Sequence, residues 1–133
     1  MLFQPSGGMV SCPLAMTDGA AFTLKSLKAE NKFWDADLEN ALDHVTNKDP
    51  KLHWTSGQWM TEKKGGSDVS RATDTFALEE AGICKIYGYK WFSSATDSDM
   101  TLALARFPKN GEELEKNTGK LGLVFIKIRK EDG

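Results

Sequence analysis

Gly57–Arg71, GQWMTEKKGGSDVSR, is the stretch whose reading decides the rest of the chain. An apolar run, a Thr-Glu pair, two adjacent glycines and a Ser-Asp follow one another in an order that neither a regular strand nor a regular helix requires. Trp59, Met60 and Thr61 suit the end of a strand, because aromatic and β-branched side chains pack on a pleated, half-buried surface. Gly65 and Gly66 supply the freedom to take positive φ, so the backbone is expected to turn sharply there and come close to a ligand. Ser67 adds a hydroxyl beside exposed amides, a donor set suited to a phosphate oxygen. On composition alone, the same residues also read as a strand running into a glycine turn.

Outward from this stretch, composition sets the bounds. The 133 residues are enough for one domain with a core, and 40% hydrophobic residues is ordinary for a globular chain. A net charge of −2 argues against a nucleic-acid module, which carries a basic patch or stripe. No apolar run reaches the roughly 18 residues of a membrane span. The start, MLFQPSGGMV, has neither the basic flank nor the apolar stretch of a signal peptide. Cys12 and Cys84 lack metal-ligand spacing and are expected as buried thiols, with a disulfide or a reactive thiol as the other states. His44 and His53 have no cysteine cluster beside them, so no metal site is assigned.

Residues 1–9 carry glycine and proline and are expected to fray. Pro13 suits a first helical turn, and Leu14, Ala15, Phe22, Leu24 and Leu27 recur with helical periodicity up to about Lys28, although Gly19 weakens the middle. Asp35 or Asp37 opens a second helix with Leu38, Ala41, Leu42 and Val45 on one face, stopped by Asn47-Lys48-Asp49-Pro50. From Trp54 the period shifts towards two. Thr73–Leu78 and Ile83–Phe92 read as strands joined by Glu79-Glu80-Ala81-Gly82, and Met100–Phe107 and Leu121–Ile128 as two more. Pro108–Gly119 reads as a polar surface loop. The expected class is α+β, a helical front followed by a β-rich remainder.

Two motifs add a resemblance. Met60-Thr61-Glu62-x-x-Gly65-Gly66-Ser67-Asp68 resembles the first signature of the acyl-CoA dehydrogenase superfamily, an aliphatic-Thr-Glu-x-x-Gly-Gly/Ala-Ser-Asp run. Ile86-Tyr87-Gly88-Tyr89-Lys90-Trp91-Phe92-Ser93-Ser94 is similar to its second, a Gly-x-Lys-x-aromatic-x-Thr/Ser strand, at the spacing the family uses. Cys12-Pro13-Leu14-Ala15-Met16-Thr17-Asp18-Gly19-Ala20 resembles the end of the N-terminal helical domain in the branch with the bacterial adaptive-response flavoproteins. The likeness runs from about Cys12 to Lys127, and is least constrained around residues 44–56 and 108–119.

The resemblance implies a division into 1–53, the end of a helical domain with its linker, and 54–133, a middle β-domain of antiparallel barrel or sandwich type. It also implies an excerpt or truncated product, since Glu131-Asp132-Gly133 falls where further strands would follow and a C-terminal helical domain is missing. The cofactor implied is FAD and the substrate an acyl-CoA, dehydrogenated between the α and β carbons. By the resemblance, Met60 and Thr61 approach the pyrimidine side of the flavin. Gly66 and Ser67 reach the pyrophosphate, with Ser67 also near the path of the acyl-CoA. Phe92 covers a ring face, Ser93 and Ser94 reach N5 and O4, and Gln58 and Trp59 flank the slot. Asp68 reads as a turn cap, and Lys90 and Trp91 as structural, Lys90 extended over the sheet surface.

Trp59, Phe92 and Ser94 stand where the family more often has a small residue, Trp and Thr, which points to the adaptive-response-like branch and away from a straight-chain substrate. The family's general base is a carboxylate of its C-terminal helical domain, and no residue here matches it, so this stretch alone is expected to be inactive. The complete protein is expected to be a homo-oligomer inside the cell, mitochondrial, peroxisomal or bacterial cytoplasmic. The alternative is a non-enzymatic flavin- or acyl-CoA-binding or damage-response protein.

Overall fold

The computed structural model describes residues 4–30 and 33–129. The expected early stop at Glu131-Asp132-Gly133 lies outside them. Two 3-10 turns, Gln4–Ser6 and Gly8–Val10, lead into helix α1, Ser11–Glu30, and then come α2 (Ala36–Val45) and strand β1 (Ser56–Trp59). After a short helix α3 (Val69–Ala72) come β2 (Phe76–Glu80), β3 (Ile83–Tyr87) and β4 (Met100–Phe107), then α4 (Gly111–Lys116) and β5 (Lys120–Lys127). Residues 4–9, part of the 1–9 stretch expected to fray, thus carry turns. No helix among the described residues is long and apolar enough to cross a membrane.

The chain packs as two units. The first takes the described parts of Met1–Gln58, Ser94–Thr101 and Lys127–Gly133. Here α1 packs on α2, burying Thr17, Ala20 and Leu24 from one and Ala41, Leu42 and Val45 from the other. Of the expected stripe of α1, Leu24 is buried and Leu27 half-buried, whereas Leu14, Ala15 and Phe22 are exposed. Steps of three and four residues from Thr17 to Ala20 to Leu24 keep these three on one face, and Phe22 points away from it. The buried Thr17 hydroxyl donates to the Pro13 carbonyl and accepts the Ser56 amide at 3.1 Å, which joins α1 to the start of β1. Asp35 caps α2, its carboxylate accepting the Leu38 amide at 2.9 Å, and Asp37 and Glu39 put negative charge at the positive end of the helix dipole.

The second unit is Trp59–Ser93 with Leu102–Ile126. Its core is Ala77, Ala105 and Val124, against which Ile86 and Ile126 pack. β2 and β3 form an antiparallel hairpin from Phe76 opposite Tyr87 to Glu80 opposite Ile83. Ala81 and Gly82 both take positive φ, which is what a two-residue hairpin turn with the twist of its strands demands. Strand order is β1-β4-β2-β3, with β5 also paired to β4.

The α+β class holds, with helices ahead of a sheet. The sheet is not the expected antiparallel barrel or sandwich, however: β2 meets β4 in parallel at Phe76 and Arg106, which makes it mixed, and it is not closed into a barrel. β2 begins three residues later than expected, since Thr73–Thr75 give their polar groups to side chains. β3 ends at Tyr87, because Gly88, with φ of 148°, leaves the strand. The expected loop Pro108–Gly119 contains α4, capped by Asn110 at its start and closed by Asn117 in the left-handed conformation. Both cysteines are exposed, contrary to expectation. Cys12 is on the outer side of α1, and Cys84 is on β3, which ends the strand order and sends only Ile86 into the core.

Candidate functional site

The first motif does not turn where the sequence suggested. Gly65 and Gly66 do not take positive φ. The turn lies at Glu62–Gly65, closed by the Gly65 amide on the Glu62 carbonyl at 3.1 Å. Gly65 is required by space instead, since a Cβ there would come within 2.5 Å of the Ala72 Cβ on α3. A Cβ on Gly66 would meet nothing within 4 Å, and Gly66 and Ser67 are exposed. Asp68 does cap, as expected, its carboxylate accepting the Arg71 amide at 3.2 Å to start α3.

The two motifs run side by side. In the second unit the Trp91 amide donates to the Thr61 carbonyl at 2.9 Å, and the Lys90 ammonium donates to Glu62 Oε1 at 2.6 Å. In the first unit Gln58 bridges Ser94 in an antiparallel sense. Trp59 and Ser93 are half-buried and line one cavity of about 250 Å3, whose walls include Ile86, Ala103 and Ile126. Met60 and Thr61 are also half-buried, whereas Gln58, Ser94 and Phe92 are exposed. Phe92 has φ of 57° and presents its ring edge-on to Trp91 at 6.1 Å.

Sequence reasoning missed the centre of this arrangement. Lys90 does not lie over the sheet surface; its ammonium is drawn inward to Glu62, leaving the two side chains only 10% and 6% exposed. Glu62 also accepts the Asp74 amide at 2.6 Å and the Thr75 amide at 3.1 Å. Arg106 works on the same loop from the other side, donating to the carbonyls of Thr73 and Ser70 at 2.7 Å each and of Gly119 at 3.2 Å. The available signal was a charged residue at a fixed place in each motif, Glu62 after Thr61 and Lys90 two after Gly88. A pair of opposite charges within mostly apolar runs needs its partner when buried.

Burial alone pushes the Glu62 carboxyl up, but hydrogen bonds from Lys90, help from Thr75 and the Asp74 and Thr75 amides outweigh it, and the group is held below the ordinary glutamate value of 4.5. Because the unfolded chain holds the proton more tightly, Glu62 contributes its full stability above the ordinary value and loses it as pH falls through the lowered one. Urea unfolding across an acid pH series should therefore show a steeper loss in wild type than in Glu62→Gln. Equal slopes would mean that the carboxylate is not held in its charged form.

The chain belongs to the acyl-CoA dehydrogenase family, as a match to its middle domain over more than half of the chain shows. Residues 57–133 match the family model for the acyl-CoA dehydrogenase middle domain. Among curated relatives, the chain is 52% identical over 134 residues to acyl-CoA dehydrogenase family member 11 of Caenorhabditis elegans, covering 99% of this chain and 21% of that one. It is 36% identical over 98 residues to the putative acyl-CoA dehydrogenase AidB of Escherichia coli (strain K12), covering 71% and 18%, in agreement with the adaptive-response-like branch. Among solved structures, Caenorhabditis elegans ACDH-11 in complex with C11-CoA matches with a TM-score of 0.80 at 46% identity, over 99% of this chain and 22% of that one. The apo-form of Bd2924 matches at 0.72 and 42% identity, over 99% and 25%. The chain spans about a fifth of the length of the curated relatives it matches.

Proposed function

We propose that this chain supplies the flavin cradle of a longer acyl-CoA dehydrogenase-like protein, homo-oligomeric in its complete form, which dehydrogenates an acyl-CoA thioester between its α and β carbons with FAD. Residues 1–53 end its helical domain and 54–133 belong to its middle β-domain. The observation that carries this reading is the Thr61–Trp91 hydrogen bond beside the Glu62–Lys90 pair, which sets the two motifs edge to edge.

The donor chemistry fits the group. Thr61, Ser67, Ser93 and Ser94 offer hydroxyls, Met60 and Gly66 offer backbone, and the 74% exposed ring of Phe92 offers an apolar plate. Gln58 and Trp59 stand at the margin. In this reading Trp59, Met60 and Thr61 hold the pyrimidine side, and their donors stabilise negative charge there. Phe92 meets the ring face, with Ser93 and Ser94 at its N5 and O4 edge, and Gly66 and Ser67 take the pyrophosphate, Ser67 also touching the acyl-CoA. Bound FAD would accept the hydride from the β carbon. The outward aim of Phe92 and Trp91 matches a cofactor laid on this surface and covered from outside it.

Glu62 cannot take the α proton, since Lys90 and two amides occupy it, and Asp68 is engaged as a cap. In this reading the base is supplied from outside this stretch, and this stretch alone is inactive. That same commitment favours a second reading, a site that binds flavin and acyl-CoA without chemistry. Anaerobic addition of acyl-CoAs to the full-length protein separates the two: bleaching of the flavin supports catalysis, and bound flavin that no thioester reduces supports binding alone. Thr61→Ala with Ser67→Ala is expected to lower flavin retention on dialysis of the full-length protein by about tenfold or more, two lost hydrogen bonds at about 1 kcal/mol each. Unchanged FAD occupancy would remove both residues from the site.

A further inference from the structure

Among the described residues Glu62 is the only charged residue counted with the buried ones, and burying a charge is costly. An apolar pair of equal volume would hold two strands together at least as well. It would not accept the Asp74 and Thr75 amides, which point at the carboxylate from the segment leading into β2. Three segments thus meet at one side chain: the first motif, residues 74–75, and the second motif through Lys90. The neighbours in sequence of this pair, Thr61 and Trp91, are the two residues whose backbones bond at 2.9 Å. Lys90 lines the cavity of about 250 Å3 and Glu62 lines another of about 570 Å3, with Gly88 on both. The ion pair thus has one partner on each of these spaces.

We propose that Glu62 and Lys90 are positioning residues of the flavin site, a clamp that fixes the spacing of Met60–Thr61 against Phe92–Ser93 without touching the cofactor; this rests on the flavin reading above. The clamp is directional. Position 62 needs an acceptor for two amides and an ammonium, and position 90 needs only a cation that reaches it. Lys85, on the neighbouring strand, is engaged with Glu80 instead. Lys64, on the turn, is engaged with Asp74, so neither substitutes for Lys90.

The test uses the full-length protein and three measurements: FAD affinity of the apo-form by titration, the visible absorption bands of bound flavin, and thermal unfolding of the apo-form. Lys90→Met should weaken FAD binding about 10- to 100-fold and shift the flavin bands, as expected when a supporting group lets a binding group move by about an ångström. Lys90→Arg should restore most of both. The exchange Glu62→Lys with Lys90→Glu should restore neither, because an ammonium at position 62 cannot accept the two amides. If Lys90→Met does not fold, Glu62→Gln, which keeps shape and one acceptor oxygen, is read on the same scale. A variant with wild-type affinity and unshifted bands, whatever its melting temperature, would reduce the pair to a structural contact and overturn the inference. Wild-type protein that takes up no FAD would overturn the flavin reading and the clamp with it, a result visible before any variant is made.

Discussion

Gly88→Ala should be among the most damaging single-methyl changes in the chain, lowering the unfolding free energy by about 3 kcal/mol. A Cβ at this position would come within 2.5 Å of the Thr75 Oγ1, 2.8 Å of its Cα and 2.9 Å of its Cβ. The backbone there also sits at φ of 148°, where a side chain is strained whatever the space. The obstacle cannot swing aside, because Thr75 is 2% exposed and its amide is fixed to Glu62. Denaturant unfolding should show a lower midpoint at unchanged slope. A cost under about 0.5 kcal/mol, the range of surface changes, would mean that β3 and the second motif do not pass over Thr75 this closely.

Arg106→Met is expected to cost about 3 kcal/mol as well, by a different route. The guanidinium donates to the carbonyls of Thr73, Ser70 and Gly119, two of them at 2.7 Å, so its loss leaves several acceptors without a donor at once. Arg106→Lys should recover only part of this, since one ammonium cannot spread planar donors over carbonyls that face different parts of the fork. Thermal and denaturant unfolding read the effect directly. Full recovery by lysine would show that charge, and not the directed donors, is what the loop requires.

Much of the helical front was legible because its signals are local. Asp35 ahead of a three- and four-residue apolar rhythm placed α2, and Pro13 and the leucines placed α1, although only packing could show that Thr17 and Ala20, not Phe22, form the buried stripe. The hairpin was legible from Glu79-Glu80-Ala81-Gly82, although Glu79 and Glu80 prolong β2 and only Ala81-Gly82 make the turn. The parallel meeting of β2 and β4 was not, because it depends on Arg106 reaching back to Thr73 across a long loop of sequence, and no local period encodes that. Helix α4 was hidden in a polar segment whose only structural cue is its caps, Asn110 and Asn117.

The motifs divide in the same way. Their chemistry-bearing side chains could be named in advance, but Glu62 and Lys90 serve the contact between the motifs, and Gly65 and Gly88 the close approach of Ala72 and Thr75, purposes that appear only in the folded chain. Gly65 illustrates the point. Its value was expected to be conformational freedom, yet it is the missing Cβ that lets α3 sit against the turn.

Amide hydrogen exchange on the full-length protein, with and without FAD, tests the central claim most directly. Two motifs that form one cradle should slow exchange together on FAD binding, across Trp59–Ser67 and across Lys90–Ser93, with the β2–β3 turn at Ala81-Gly82 unchanged. FAD bound with protection confined to other parts of the protein, and none in these two runs, would contradict it.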